Sequence, residues 1–182
     1  MSSVTSEVIY QTTPPLIVVR PTDGGRSTRT RIARLLVPLD GSVAAEQVLP
    51  FVQELAGHFN SQVVLLSVPE GPNADRDADV LRRYLHMIAD RLRAQDIQVG
   101  SVVEGSAPAH TILAIAEAEQ SDLIMLVSHG RGGVARQQYV KLGSVSEHVL
   151  QEAPCPVFLV SAVPSDAVVP PTGVSGTAAP IT

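Results

Sequence analysis

Four short stretches of this chain are nearly continuously apolar: residues 35–39 (LLVPL), 63–68 (VVLLSV), 123–127 (LIMLV) and 157–160 (VFLV). A strand with one face in water alternates apolar and polar side chains. Runs without alternation are covered on both faces, as in the interior of a parallel sheet. A weaker run, residues 97–103 (IQVGSVV), lies between the second and third. Between the runs the apolar period becomes helical. Ala45, Leu49, Val52 and Ala56 recur every three or four residues, and so do Leu81, Leu85, Ile88 and Leu92. Ile112, Ile115 and Ala116 mark a third helix, and Val145, His148 and Val149 a fourth. Ser42, Ser106 and Ser144 each lie near a helix start, where a hydroxyl can satisfy free backbone N–H groups. Five strands alternating with four helices predict an α/β fold, an open doubly wound parallel sheet with helices on both faces. Such sheets bind ligands beyond the carboxyl ends of their strands, at the point where the strand order reverses. Function is therefore expected in the loops after Leu39, Val68 and Val127.

A length of 182 residues suits one domain with tails. Aromatics are only 3% and Trp is absent, so the core must be aliphatic. The net charge of −5 argues against sequence-independent nucleic-acid binding, which needs phosphate-neutralising basic groups. The lone cysteine, Cys155, excludes an intramolecular disulfide framework and reads as a packed thiol. No apolar stretch approaches the ~18 residues that span a bilayer, and the first residues lack a signal-peptide h-region. A cytoplasmic protein without membrane or nucleic-acid partners is the expectation. The flanks differ in composition: residues 21–31 (PTDGGRSTRTR) read as a flexible basic linker, and 162–182 as a disordered tail without an apolar face to bury.

Two motifs carry chemistry. The first run leads into Asp40-Gly41-Ser42, which places a carboxylate at the mouth of the crevice. There it can accept a hydrogen bond from a ribose hydroxyl or an adenine amine, or it can serve as a turn or helix-cap residue. The fourth run leads into Ser128-His129-Gly130-Arg131-Gly132-Gly133, and Gly143-Ser144 then opens a helix. Glycines let backbone amides approach a phosphate closely, and a helix N-terminus favours an anion. The stretch reads either as a phosphate cradle or as an ordinary loop before a helix. His129 could touch a terminal phosphate or act as an acid or base, although a structural hydrogen bond within the loop is its expected role. The chain contains neither G-x-x-x-x-G-K-[ST] nor G-x-G-x-x-G after its first strand, which argues against a P-loop or a dinucleotide site. His58, His86, His110 and His148 fall on predicted helices without metal-ligand spacing, and no catalytic triad is visible.

The segments LLVPLDGS (35–42), DLIMLVSHGRGG (122–133) and GSVSEHVLQEAPCPVFLV (143–160) resemble the universal stress protein family. The resemblance covers about residues 34–161 and implies a five-stranded, Rossmann-like domain, here placed at 32–161. In ATP-binding members the phosphate pattern is G-x2-G-x9-G-[ST]. By position, the resemblance implies that Asp40 and the backbone near Pro38 face the adenosine, and that the main chain of Val68 pairs with the adenine edge. Gly130, Gly143, Ser144 and Val145 would hold the phosphates with Mg²⁺, and Val127, Ser128, His129 and Gly133 complete the implied nucleotide set. Val127 stands where the family has its first glycine, and twelve residues instead of nine separate Gly130 from Gly143. Arg131, Arg136 and Lys141 add positive charge to that longer loop.

The reading is an ATP-binding regulator or sensor that acts through nucleotide-dependent conformation and homodimerisation by its last strand, at most a slow ATPase. Its alternative is a non-nucleotide member serving as a protein-interaction module, which the Val127 replacement favours. An ATP pyrophosphatase of the wider adenine-nucleotide superfamily would need S-G-G-x-D-S after the first strand, and Asp40-Gly41-Ser42-Val43 stands there instead. An internal repeat adds one expectation. Residues 6–14 (SEVIYQTTP) align with 146–154 (SEHVLQEAP), and after a skip at Cys155, 15–19 (PLIVV) align with 156–160 (PVFLV). Residues 1–20 thus read as the closing helix and strand of a preceding copy, and Leu16 to Val19 are expected to pair with Val157–Val160 in the same chain or a partner's.

Overall fold

The computed structural model describes residues 15–20, 31–71, 74–105, 107–128 and 142–161. In chain order the strands are β1 (Leu16–Val18), β2 (Arg34–Pro38), β3 (Gln62–Ser67), β4 (Val99–Val103), β5 (Leu123–Val127) and β6 (Val157–Val160). The helices are α1 (Val43–Glu46), α2 (Leu49–Phe59), α3 (Ala74–Arg93), α4 (Pro108–Ala118) and α5 (Ser144–Glu152). Every apolar run of the sequence is a strand. The first predicted helix is two helices, because Pro50 lies in the first turn of α2. Proline has no N–H to give and its ring crowds the carbonyl four residues back, so α1 cannot run on through it. Ser42 caps α1 as expected, accepting the Ala45 N–H at 3.1 Å. Ser144 is instead the first residue inside α5, whose cap is Gly143. Ser106 lies outside the described residues.

The sheet has six strands in the order β1-β6-β5-β2-β3-β4, one more than the predicted five. β2 to β6 are mutually parallel and β1 joins β6 antiparallel, through Leu16↔Leu159, Ile17↔Phe158 and Val18↔Val157. Its three residues are too few for a periodic signal, and only the repeat pointed to it. Alternate residues of the strands face two cores. Leu35, Val37, Val63, Leu65 and Met125 pack with Val48, Val52, Leu85 and Ile88 of the α1–α3 side. Leu36, Val64, Leu66, Ile124 and Leu126 pack with Ile112, Ala116, Val149 and Leu150 of α4 and α5. At the amino ends of the central strands, Asp122 Oδ2 accepts the N–H groups of Ala33 and Arg34 at 2.8 and 3.0 Å. This clasp fixes the register of β2 against β5.

Candidate functional site

β2 pairs with β3 as far as Pro38, and β5 pairs with β6 as far as Val127. Against each other, however, β2 and β5 share only the rungs Leu35↔Leu123 and Leu36↔Ile124. The residue that ends the ladder is Pro38. Leu39 donates its N–H to the Leu66 carbonyl of β3 at 2.8 Å, so by alternation the nitrogen of Pro38 faces β5, where it has no hydrogen to offer. Beyond Leu36↔Ile124 no rung joins the two central strands, and the strand order reverses between their carboxyl ends, the place where open α/β sheets form a ligand crevice.

One wall is the turn after β2. The Asp40 carboxylate accepts the Ser42 N–H at 2.9 Å, and Gly41 turns the chain with a φ of +79° that a side chain would resist. The Ser67 hydroxyl, buried at the end of β3, donates to the Leu39 carbonyl at 2.5 Å and holds the turn in place. Asp40 has the turn role allowed by its sequence context.

The opposite wall is the junction of β5 with α5. Ser128 is buried, donates its N–H to the Val160 carbonyl and accepts the Gly143 N–H on its own carbonyl, both at 2.8 Å. The buried Ser146 hydroxyl donates to the Val127 carbonyl at 2.9 Å. These bonds set the first turn of α5 at the end of β5. Gly143 caps that helix without a side chain, so none covers the amides of Ser144 and Val145 from the cap position. The Val127 side chain is buried in the core under α1–α3. Its φ is not positive: among the described non-glycine residues only Asn60, Asp96 and Gln120 have positive φ. The backbone at 127 thus accepts a β-carbon without strain.

Of the predicted site residues, Pro38, Asp40, Val68, Val127, Ser128, Gly143, Ser144 and Val145 lie at the carboxyl end of the sheet or at the start of α5. Val68 follows β3 directly and, like Val145, is half-buried against the α4–α5 core. His129, Gly130 and Gly133 lie outside the described residues. Sequence reasoning missed Ser67 and Ser146, whose signal was a serine abutting an apolar run or a helix start. It also missed Tyr84 of α3, whose hydroxyl is buried beside Glu46 without a hydrogen bond of good geometry. Burial first, then the negative charges of Glu46 and Asp40, hold this phenol above its ordinary pKa of 10.0, with Arg91 opposing them. Arg91 reaches Glu46 at 3.7 Å. Among the described residues no three His, Cys, Asp or Glu side chains gather closely enough to hold a metal ion, and no helix is long and apolar enough to cross a membrane.

The model of the universal stress protein family matches residues 32–161, most of the chain. This chain belongs to the universal stress protein family. A universal stress protein of Mycolicibacterium smegmatis is 30% identical over 173 residues, a match covering 88% of this chain and 55% of that protein. The chain thus spans about half the length of this relative. A crystal structure of a universal stress protein from Archaeoglobus fulgidus is 25% identical with a TM-score of 0.66, covering 88% of this chain and 55% of that one. A universal stress protein solved in complex with cAMP shares the fold at 18% identity and a TM-score of 0.59, covering 72% of this chain and 98% of that one.

Proposed function

We propose that this universal stress protein is a cytoplasmic regulator or sensor that binds ATP in the crevice between β2 and β5. The observation that carries the reading is the end of the β2–β5 ladder at Pro38, at the point of strand-order reversal, with the Asp40 carboxylate on one wall and the start of α5, whose cap Gly143 has no side chain, on the other. A carboxylate suits the hydroxyls and amine of an adenosine, and a helix start suits phosphate. A relative of the same fold solved with cAMP supports an adenine nucleotide as the ligand class. The buried Val127 at the family's glycine position removes no backbone freedom that the crevice uses, so the interaction-module alternative loses its main motive. Mg²⁺ would accompany the phosphates and keep much of its water. Within the wall, Gly143 and Ser144 hold the phosphate end and Asp40 orients the sugar or base. Nucleotide-dependent dimerisation through β6 would require β1 to leave its edge.

Mass spectrometry of small molecules released from freshly purified protein tests the ligand. An adenine nucleotide in near-stoichiometric amount is expected. A different metabolite at that occupancy would overturn the assignment of ATP.

A further inference from the structure

The turn that carries Asp40 is held from two sides. On entry, the Ser67 hydroxyl anchors the Leu39 carbonyl at 2.5 Å. On exit, the turn runs into α1 through a series of short bonds. Asp40 Oδ1 accepts the Ser42 N–H at 2.9 Å, Ser42 Oγ accepts the Ala45 N–H at 3.1 Å, and the Ser42 carbonyl accepts the Glu46 N–H at 3.3 Å. The stretch from Asp40 to Glu46 is therefore one mechanical piece. Its helix, α1, is four residues long, and a helix that short does not hold itself. Ala45 seats it on the core. A buried methyl sets how deep a helix lies, but not how it is turned about its axis.

That rotation is set by Glu46, the next residue, and by what α3 places against it. α3 is a rigid reference, 20 residues long and fixed to the core by Leu85, Ile88 and Leu92. Two of its residues, Tyr84 and Arg91, lie two helical turns apart on one stripe and reach the same carboxylate. The Arg91 guanidinium is 3.7 Å from Glu46 Oε2, and the buried Tyr84 hydroxyl faces the Glu46 side chain. The charge of Asp40 reaches that hydroxyl as well, so the phenol stands in the field of both carboxylates. Asp40 and Glu46 carry like charges on one short segment, and each repels the other. An O–H and a guanidinium set against them offset that repulsion. Arg91 is mostly exposed, so water screens its part. The Tyr84 hydroxyl is buried, and its part is not screened.

We infer that Tyr84, seconded by Arg91, is a positioning residue of the crevice: through Glu46 it fixes α1, and so sets the Asp40 carboxylate for the adenosine end of a ligand. Neither residue need touch that ligand. The inference rests on the crevice as an adenine-nucleotide site. It confines the influence of α3 to the part of the nucleotide that Asp40 meets, because α5, at the phosphate end, packs on the opposite face of the sheet.

The test compares the full chain with its Tyr84→Phe/Arg91→Met variant, which keeps the bulk of both side chains and removes the O–H and the charge. In the ligand-free chain, amide exchange at Ser42 and Ala45 is expected to quicken by about threefold or more, while the amides of β2 and β3 hold their rates. In calorimetry the variant should bind ATP about tenfold more weakly, and in an Asp40→Asn background the same two changes should add no further loss. Circular dichroism checks that each variant is folded, and Tyr84→Phe alone replaces the pair if it is not. Unchanged exchange at Ser42 and Ala45 overturns the inference, and so does an equal quickening throughout the sheet. A loss of ATP binding that adds in full to that of Asp40→Asn overturns it too, since Tyr84 would then act by another route. If the native chain takes up no ATP, the nucleotide reading falls by itself, and the exchange of Ser42 and Ala45 still decides whether α3 holds the turn.

Discussion

At Gly143 the backbone is unexceptional, with φ −69° and ψ 153°, a conformation open to any residue. Conformation is thus no reason for a glycine there, whereas the approach of a phosphate to the amides of Ser144 and Val145 is. Gly143→Val is expected to weaken ATP binding at least tenfold in calorimetry while changing the stability of the ligand-free protein by about 1 kcal/mol or less in urea. Equal losses in both would make the residue structural. Tyr84 carries the opposite kind of information. Its phenol titrates above its ordinary value of 10.0 in the folded chain, so above about pH 10 the unfolded chain loses the proton first. Folding stability then falls as pH rises towards the folded value. Tyr84→Phe should remove that part of the alkaline loss and, by deleting a hydroxyl without a good partner, change stability at pH 7 by about 1 kcal/mol or less. Urea titrations of both proteins at pH 7 and above pH 10 check the difference, and parallel pH profiles would contradict it.

Among the elements, the turn from β4 into α4 has little room for a side chain. Gly105 sits at φ +82°, and a β-carbon there would overlap the side chain of Thr111. Gly105→Ala is expected to destabilise the protein by about 2 kcal/mol or more, from the strained φ together with the displaced Thr111. Adding Thr111→Ala should recover part of that loss in thermal melts, and no recovery would mean that φ strain alone is responsible. The strands were legible in the sequence because burial on both faces leaves an uninterrupted apolar run. The break between α1 and α2 was not, since Ala45, Leu49, Val52 and Ala56 keep one buried face across it and conceal the effect of Pro50. Of the site, Asp40 and the glycine at the start of α5 were legible because their signals are local. The Ser67 bond to Leu39 spans 28 residues, and Tyr84 comes to Asp40 and Glu46 from a different helix. Only the assembled sheet shows those contacts. Pro38 was visible in the sequence, but its consequence depends on which neighbour its nitrogen faces.

For the molecule as a whole, the parallel core, the capping strand and the crevice belong to one arrangement. The clasp of Asp122 on Ala33 and Arg34 locks the central strands at their amino ends. Pro38 ends their ladder before the carboxyl ends, and β1 closes the edge beyond β6. A nucleotide in the crevice would span those ends, touching the turn after β2 and the start of α5 together. Such a ligand binds the folded chain and not the unfolded one, so it must raise the melting temperature. At ~100 times its dissociation constant it adds about 2.7 kcal/mol, which for a domain of this size is a rise of about 5–10 °C. The most direct measurement is the melting curve of the full chain with and without millimolar Mg-ATP, paired with isothermal titration. A rise of that size, absent with Mg²⁺ alone and reduced in Gly143→Val, is the predicted result; an unchanged melting temperature with no heat of binding would contradict ATP binding and leave the interaction module as the reading.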